Sequence, residues 1–251
     1  MRLAGRVALV TGGNRGIGRA ISLAFATEGA KVVVVGRNAA SCDETVAAIK
    51  AEGSEALAIR ADVSREADVA SMVATAVRRF NCIDILVNNA GVNLPYKAVV
   101  ELTPEEWDYV VGTNLTGPFL CCRAVVPVMI AQGYGKIVNI SSLGGRSGAA
   151  GRTPYRPTKA ALINFTECVA AEVKEHGIDV NAVCPGPVNT DMMREITNNN
   201  VPLNAMQPEE IAAVVVFLVS GEAGAITGAA IDAFGEANPL FGSQASRIRP
   251  K

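Results

Sequence analysis

Hydrophobic positions along the chain follow two alternating patterns. Short β-branched runs at Val7–Val10, Lys31–Val35, Ala56–Ala61, Ile83–Val87, Lys136–Ile140, Asp179–Val183 and Ala229–Ala233 read as strands, several of them apolar on both faces as a buried parallel sheet requires. Between them, apolar residues recur with helical period over 16–28, 40–52, 66–80, 104–131, 154–176 and 208–220. Two helix starts carry their own markers. Thr103-Pro104-Glu105-Glu106 and Gln207-Pro208-Glu209-Glu210 place proline at the first helical position and acids in the first turn, where they complement the helix dipole. This alternation predicts one α/β domain over residues 1–251, a doubly wound parallel sheet of about seven strands with helices on both faces. The Gly/Asn/Pro-rich stretch 185–207 interrupts it and is too long for an ordinary connection, which marks a lid. Residues 236–251 carry no pattern and are expected to form an extended tail.

Composition narrows the classes. A chain of 251 residues that is 49% hydrophobic and 19% charged is not disordered and needs no disulfide framework or structural metal to hold its core. Twenty-three Lys and Arg against 24 Asp and Glu leave a net charge of -1, so no global field draws nucleic acid or an anionic membrane. No apolar run reaches the roughly 18 residues of a membrane helix, and Val7–Val10 is too short for a signal peptide. A cytoplasmic protein is expected. The six cysteines form no Cys-x-x-Cys and the chain has one histidine, His176, so they read as buried thiols in a reducing compartment rather than metal ligands. His176 ends a helical segment, where it favours the dipole, and receives no catalytic role. The 24 glycines gather at 12–18, 144–151 and 221–235.

The first strand runs directly into Thr11-Gly12-Gly13-Asn14-Arg15-Gly16-Ile17-Gly18 and then into a helix. Glycine lets the backbone approach a phosphate closely, and the helix N-terminus supplies unpaired N–H groups and a positive dipole end. A glycine cluster alone is often only a tight turn; the strand before it and the helix after it point to a dinucleotide. The spacing is Gly-x-x-x-Gly-x-Gly, and no Lys-Ser/Thr follows to make a nucleoside-triphosphate loop.

With Thr-Gly-x-x-x-Gly-x-Gly after the first strand, Asn88-Asn89-Ala90-Gly91 after the fourth, then Asn114, Ser142, Tyr155-x-x-x-Lys159 and Pro185-Gly186 in order, the chain resembles the short-chain dehydrogenase/reductases from about residue 3 to about 235. The resemblance implies a Rossmann fold and hydride transfer between a nicotinamide dinucleotide and a carbonyl or secondary alcohol. Asp62 and Val63 correspond to the family's adenine-side pair, Asn89, Ala90 and Gly91 to the turn under the adenosine, and Val188 and Thr190 to the nicotinamide-carboxamide segment that follows Pro185 and Gly186. An acid at the end of the second strand would accept from a ribose 2′-OH and repel a 2′-phosphate. This chain has Gly36-Arg37-Asn38 there, and Arg15 stands in the glycine loop. Two arginines with planar forks of donors favour NADP(H), with NAD(H) the alternative.

In the family, Asn114, Ser142, Tyr155 and Lys159 form the catalytic set. Tyr155 is the acid in reduction and the base in oxidation, Lys159 stabilises its phenolate and holds the nicotinamide ribose, Ser142 hydrogen-bonds the substrate oxygen, and Asn114 positions a water that connects Lys159 to solvent. The chemistry explains these residue types, because a carbonyl that accepts hydride needs a proton donor and a hydrogen-bonding partner at its oxygen. Tyr155 and Lys159 are four apart and share one helix face. Ser141 points away and is structural. Pro157 lies inside the motif and fits only if the helix begins near Pro154.

Substrate contacts are expected from Asn93, Leu94, Arg146, Arg152, Met192, Met193 and Arg194, in the loops beyond the strand C-termini. A small-molecule carbonyl or alcohol ranks first. A 3-oxoacyl-carrier-protein reductase ranks lower, because the turns 131–136 and 174–177 are weakly basic; a sugar or polyol dehydrogenase is a further alternative, and a non-catalytic nucleotide sensor ranks last. The family's usual homotetramer, or a homodimer, is implied for assembly.

Overall fold

A computed structural model describes residues 1–237. Seven strands form one sheet: β1 (Val7–Thr11), β2 (Lys31–Gly36), β3 (Ala56–Arg60), β4 (Ile85–Asn88), β5 (Gly135–Ile140), β6 (Ile178–Pro185) and β7 (Ala230–Ala233). All neighbours pair in parallel, in the order β3-β2-β1-β4-β5-β6-β7. Parallel neighbours require crossovers, and these are α1 (Gly16–Thr27), α2 (Ala39–Ala51), α3 (Glu66–Phe80), α4 (Pro104–Val111), α5 (Gly117–Gln132), α6 (Tyr155–Val173), α7 (Asp191–Ile196) and α8 (Pro208–Val219).

Alternate residues of each strand serve opposite layers. On one face, Ala8, Val10, Val32 and Val34 pack with Ile21 and Phe25 of α1, Val46 and Ile49 of α2, and Val215 and Val216 of α8. On the other, Val7, Leu9, Val33 and Val35 meet Met72 of α3, Cys121 and Val125 of α5, and Val169 and Val173 of α6. This two-sided burial is why β1 and most of β2 read as unbroken apolar runs.

The marked helix starts behave as their chemistry requires. The Thr103 hydroxyl accepts from the Glu106 N–H at 3.2 Å while the Glu106 carboxylate accepts from the Thr103 N–H at 3.0 Å, a reciprocal cap. The Glu210 carboxylate likewise accepts from the Gln207 N–H at 2.7 Å.

The expected single helix over 104–131 is instead α4, a π-helical turn at Gly112–Thr116, and α5. Pro118 has no N–H to give to the Asn114 carbonyl, and a Cβ at Gly117 would lie 2.7 Å from Val63 Cγ2, so this turn cannot continue as a regular α-helix with an ordinary residue there. The Pro104–Gln132 stretch is long and apolar enough to cross a bilayer by length and composition alone. Leu120, Cys121, Cys122, Val125 and Met129 of its second half lie buried in the core. The cysteines also depart from expectation: Cys42, Cys121, Cys122 and Cys184 are buried, but Cys82 is part-buried and Cys168 is exposed on α6. The tail expected over 236–251 falls outside the described residues from 238 onward.

Candidate active site

The strand order reverses between β1 and β4, and the loops that leave the C-terminal ends of these two strands diverge into a crevice. Gly12 and Gly16 adopt φ of +60° and +50°, a region that disfavours side chains. At Gly18 a Cβ would collide with the Gly12 carbonyl and the Asn89 amide. The loop therefore folds tightly against the β4 turn. Arg15 flanks α1 in an extended conformation, and no side chain caps the helix, so the first-turn N–H groups remain available to an anion.

Asn89 has a clear structural task. Its Nδ2 donates to the carbonyls of Thr11 (2.9 Å) and Gly12 (3.1 Å), and the Thr11 hydroxyl accepts from the N–H groups of Asn89 (3.0 Å) and Ala90 (3.1 Å). The second motif thus locks the first, and Asn89 acts through its amide on the glycine loop. Asn14 extends the lock outward by donating to Ser41 Oγ at 2.7 Å.

Two adjoining cavities share Gly12, Arg15, Ala90, Gly91 and Asp191 in their walls. The first, about 690 Å³, runs past Gly36, Arg37, Asn38, Ser41, Asp62 and Val63. Arg37 is exposed and donates to the Tyr109 hydroxyl at 3.2 Å. Burial pushes the Asp62 carboxyl up, but the Ser64 hydroxyl and N–H, with Arg37 and Arg65 nearby, bring it below its ordinary value. It remains an ionised acceptor.

The second cavity, about 320 Å³, is walled by Ser142, Tyr155, Lys159, Pro185, Gly186, Val188 and Thr190 among others. The structure thus gathers Ser142, Tyr155 and Lys159 around one space, whereas Asn114, the fourth of the expected reaction residues, is not among the residues of its wall. Ser142 closes β5, and its Oγ accepts from the Gly144 N–H at 3.0 Å. Helix α6 begins at Tyr155, so Pro157 lies in its first turn, where a missing N–H costs little. The Ser141 hydroxyl donates to the Lys159 carbonyl at 2.7 Å, which ties α6 to the end of β5 as expected of a structural residue.

Lys159 is 4% exposed and its Nζ donates to the Ile140 carbonyl at 2.8 Å. Burial without an anionic partner lowers its pKa to about 8. The same Nζ lies 5.8 Å from the Tyr155 ring centre. Burial raises the Tyr155 hydroxyl, against the pull of Ser142, Arg152 and Arg156.

Asn114 sits in the π-helical turn, fully buried. Its Oδ1 accepts from the Val92 N–H at 2.8 Å, and its Nδ2 donates to the Val92 carbonyl at 2.9 Å and to Thr158 Oγ1 at 3.3 Å. A Cβ on Gly91 would lie 3.5 Å from Asn114 Oδ1 and 3.6 Å from Lys159 Nζ. Both polar groups therefore border the small space left by that glycine.

The segment after β6 folds back over the glycine loop. Thr190 caps α7 by accepting from the Met193 N–H at 3.3 Å, and a Cβ on Gly16 would come within 3.3 Å of its methyl group. Val188 is fixed by a parallel bridge to Met206. Of the expected substrate residues, Asn93, Arg152, Met192 and Met193 line the cavity. Arg146 turns away to Asp232 and the Ala230 carbonyl, and Arg194 to Asp191 and Asn189. Arg156, Leu143 and Ile196 line it without having been anticipated. Arg156 carries the one usable signal, its place beside Tyr155 in the motif.

The family model for short chain dehydrogenase matches residues 6–201. The chain is 42% identical over 233 residues to a 3-oxoacyl-[acyl-carrier-protein] reductase of Synechocystis sp., covering 90% of this chain and 94% of the relative. It is 41% identical over 239 residues to an acetoacetyl-CoA reductase of Shinella zoogloeoides, covering 92% and 97%. Among solved structures, the 3-ketoacyl-(acyl-carrier-protein) reductase of Brucella melitensis complexed with NADH superposes with a TM-score of 0.88 at 33% identity, over 94% of this chain and 99% of that one. The chain belongs to the short chain dehydrogenase family. It is an NAD(P)-dependent oxidoreductase.

Proposed function

We propose that the protein interconverts a carbonyl and a secondary alcohol on a small molecule, with NADP(H) as its preferred nucleotide. The observation that carries this reading is the convergence of Ser142, Tyr155 and Lys159 on one cavity that opens onto the uncapped N-terminus of α1. The adjoining spaces suit an elongated dinucleotide. Gly12, Gly16, Ile17 and Gly18 would receive its pyrophosphate on backbone N–H groups, Asp62 and Val63 its adenine, and Ala90 and Gly91 its adenosine side. Pro185, Gly186, Val188 and Thr190 face the nicotinamide end. When bound, the reduced nicotinamide supplies the hydride.

At the substrate, Ser142 donates a hydrogen bond to the carbonyl oxygen and Tyr155 delivers the proton as the carbon is reduced; oxidation reverses both steps. A tyrosine raised by burial is well protonated at neutral pH and so serves as the acid. For oxidation the phenolate must be stabilised, and each pKa unit of lowering needs about 1.4 kcal/mol. The Lys159 ammonium, held close to the ring in a dry setting, supplies part of that energy. Asn114, across the Gly91 space from Lys159, would hold the water through which Lys159 exchanges protons with solvent. Segment 185–207 acts as the lid over this end.

The preference for NADP(H) rests on Arg15 and Arg37 at the mouth of the larger cavity, beside Asn38 and Ser41, where β2 ends without a carboxylate. A second reading, reduction of 3-oxoacyl thioesters, draws on the two curated relatives at 41–42% identity.

Replacing Tyr155 with Phe tests the mechanism. Carbonyl reduction with NADPH should fall at least about 1,000-fold, a loss of roughly 4 kcal/mol in the transition state, while the nucleotide dissociation constant stays within about twofold. Turnover that survives in the variant would remove Tyr155 from the chemistry.

A further inference from the structure

The substrate cavity is strongly cationic. Arg15, Arg152, Arg156 and Lys159 line it against one carboxylate, Asp191, and that carboxylate is already engaged by Arg194 at 3.0 Å. Most of the positive groups are accounted for. Arg156 donates to the Ser147 carbonyl and hydroxyl and to the Gly148 carbonyl at 2.8–3.2 Å, Lys159 donates to Ile140, and Arg15 is an exposed residue at the mouth shared with the nucleotide space.

Arg152 is the exception. Its Nη1 is enclosed and has no hydrogen-bond partner among the described residues, and 238–251 contain no Asp or Glu side chain that could pair with it. The guanidinium lies 3.8 Å over the Tyr96 ring, and that ring packs so closely on Gly151 that a Cβ there would collide with it. Stacking holds the guanidinium plane in place but supplies no acceptor to its N–H groups. An enclosed charged donor without an acceptor is costly. The fold has fixed a planar fork of donors in the wall of a reaction cavity and left it unsatisfied.

Resting on the carbonyl-reduction reading of this cavity, we infer that Arg152 recognises a carboxylate on the substrate, which makes the substrate a short oxo acid and its product a hydroxy acid. The guanidinium matches a carboxylate through two parallel hydrogen bonds, which a neutral ester or thioester cannot accept in the same way. Arg152 and Tyr155 both line this cavity, Arg152 from the turn that leads into α6, so one substrate molecule can present a carboxylate to the first and its carbonyl to the second.

The test compares acetoacetate and 4-oxopentanoate with their methyl esters, using NADPH. For wild type, kcat/KM should favour each acid over its ester at least tenfold, mainly through KM. In Arg152→Met that ratio should fall tenfold or more, and Arg152→Lys, which keeps the charge without the fork, should recover part of it. Calorimetric titration with glutarate in the presence of saturating NADP+ provides a second readout that requires no turnover: binding to wild type, and binding weakened at least tenfold in Arg152→Met.

Reduction of acids and esters with equal efficiency by wild type would overturn the inference and leave carbonyl reduction intact. So would glutarate binding that is absent from wild type or unchanged in the Met variant. Arg152-dependent glutarate binding without reduction of any of the four compounds would sustain the carboxylate site and count against their carbonyl reduction.

Discussion

The two ends of the crevice are built from different materials. At the nucleotide end, recognition is assigned to backbone: glycines at positive φ, an uncapped helix start, and a lattice in which Asn89 and Thr11 satisfy one another's turns. At the reaction end it is assigned to side chains removed from water. Lys159 is 4% exposed beside a carbonyl rather than an anion, and Arg152 has an enclosed nitrogen with no acceptor among the described residues. A backbone site is sterically exacting but electrostatically relaxed; a desolvated side-chain site withholds stability from the folded chain and returns it when a complementary charge arrives.

The sharpest way to break this comparison is at Gly18. Its Cβ position is filled by the Gly12 carbonyl and the Asn89 amide, neither of which can move without opening the lock. Gly18→Ala should weaken nucleotide binding about 100-fold, a loss of about 2.7 kcal/mol, and lower stability by the roughly 1–3 kcal/mol typical of overpacking. Fluorescence titration with NADPH and thermal unfolding check both; near-normal affinity would show that the backbone site tolerates side-chain volume after all.

Lys159 probes the other end and should shift stability in the opposite direction. A lysine that titrates at about 8 when folded and near 10.5 when unfolded loses about 3 kcal/mol of stability wherever both states are protonated. Its folded value is depressed, so this cost is fully present below pH 8 and is relieved as pH rises from about 8 to 10.5. Lys159→Met also strands the Ile140 carbonyl, at about 1 kcal/mol. The nucleotide-free variant should therefore be more stable by about 2 kcal/mol at pH 7, with Tm up by about 5 °C, yet inactive. Calorimetry across pH 7–10 decides it, since a destabilised variant would mean that the ammonium is well paired.

The smallest expected effect is at the mouth of the nucleotide space. Arg37→Asp should change the ratio of kcat/KM for NADPH over NADH by about tenfold in favour of NADH, on the scale of one charge-assisted contact. A wild type that already prefers NADH would remove the argument from Arg15 and Arg37.

Much of this architecture was legible in the residues. The seven strands and most helices fall within one or two residues of their periodic signals, because the central strands β1, β2 and β4 are almost wholly apolar and buried and the helices between carry a clear apolar period. The interruption around Asn114 was not legible, since Gly112, Gly117 and Pro118 stand within an apolar stretch whose period they do not disturb. The reaction residues were recognisable as motifs, and the structure brings Ser142, Tyr155 and Lys159 to one cavity. The division of labour among them was not. Asn89 carries no sign in the sequence that its amide serves the glycine loop 77 residues earlier. Likewise, nothing local separates Arg146, whose carboxylate partner is 86 residues away, from Arg152, which has none among the described residues. Charge pairing is decided by tertiary placement.

The position of the strand reversal has a consequence for how such a chain can change. The residues proposed for the nucleotide before β4 hang on β1, β2 and β3, whereas the loops proposed for the substrate leave β4, β5 and β6. The two sets meet mainly along the Gly12 to Ala90 seam. Segments 143–152 and 192–205, which hold none of the residues proposed for the nucleotide, are therefore the parts through which new specificities can arise while the nucleotide half of the molecule is inherited unaltered.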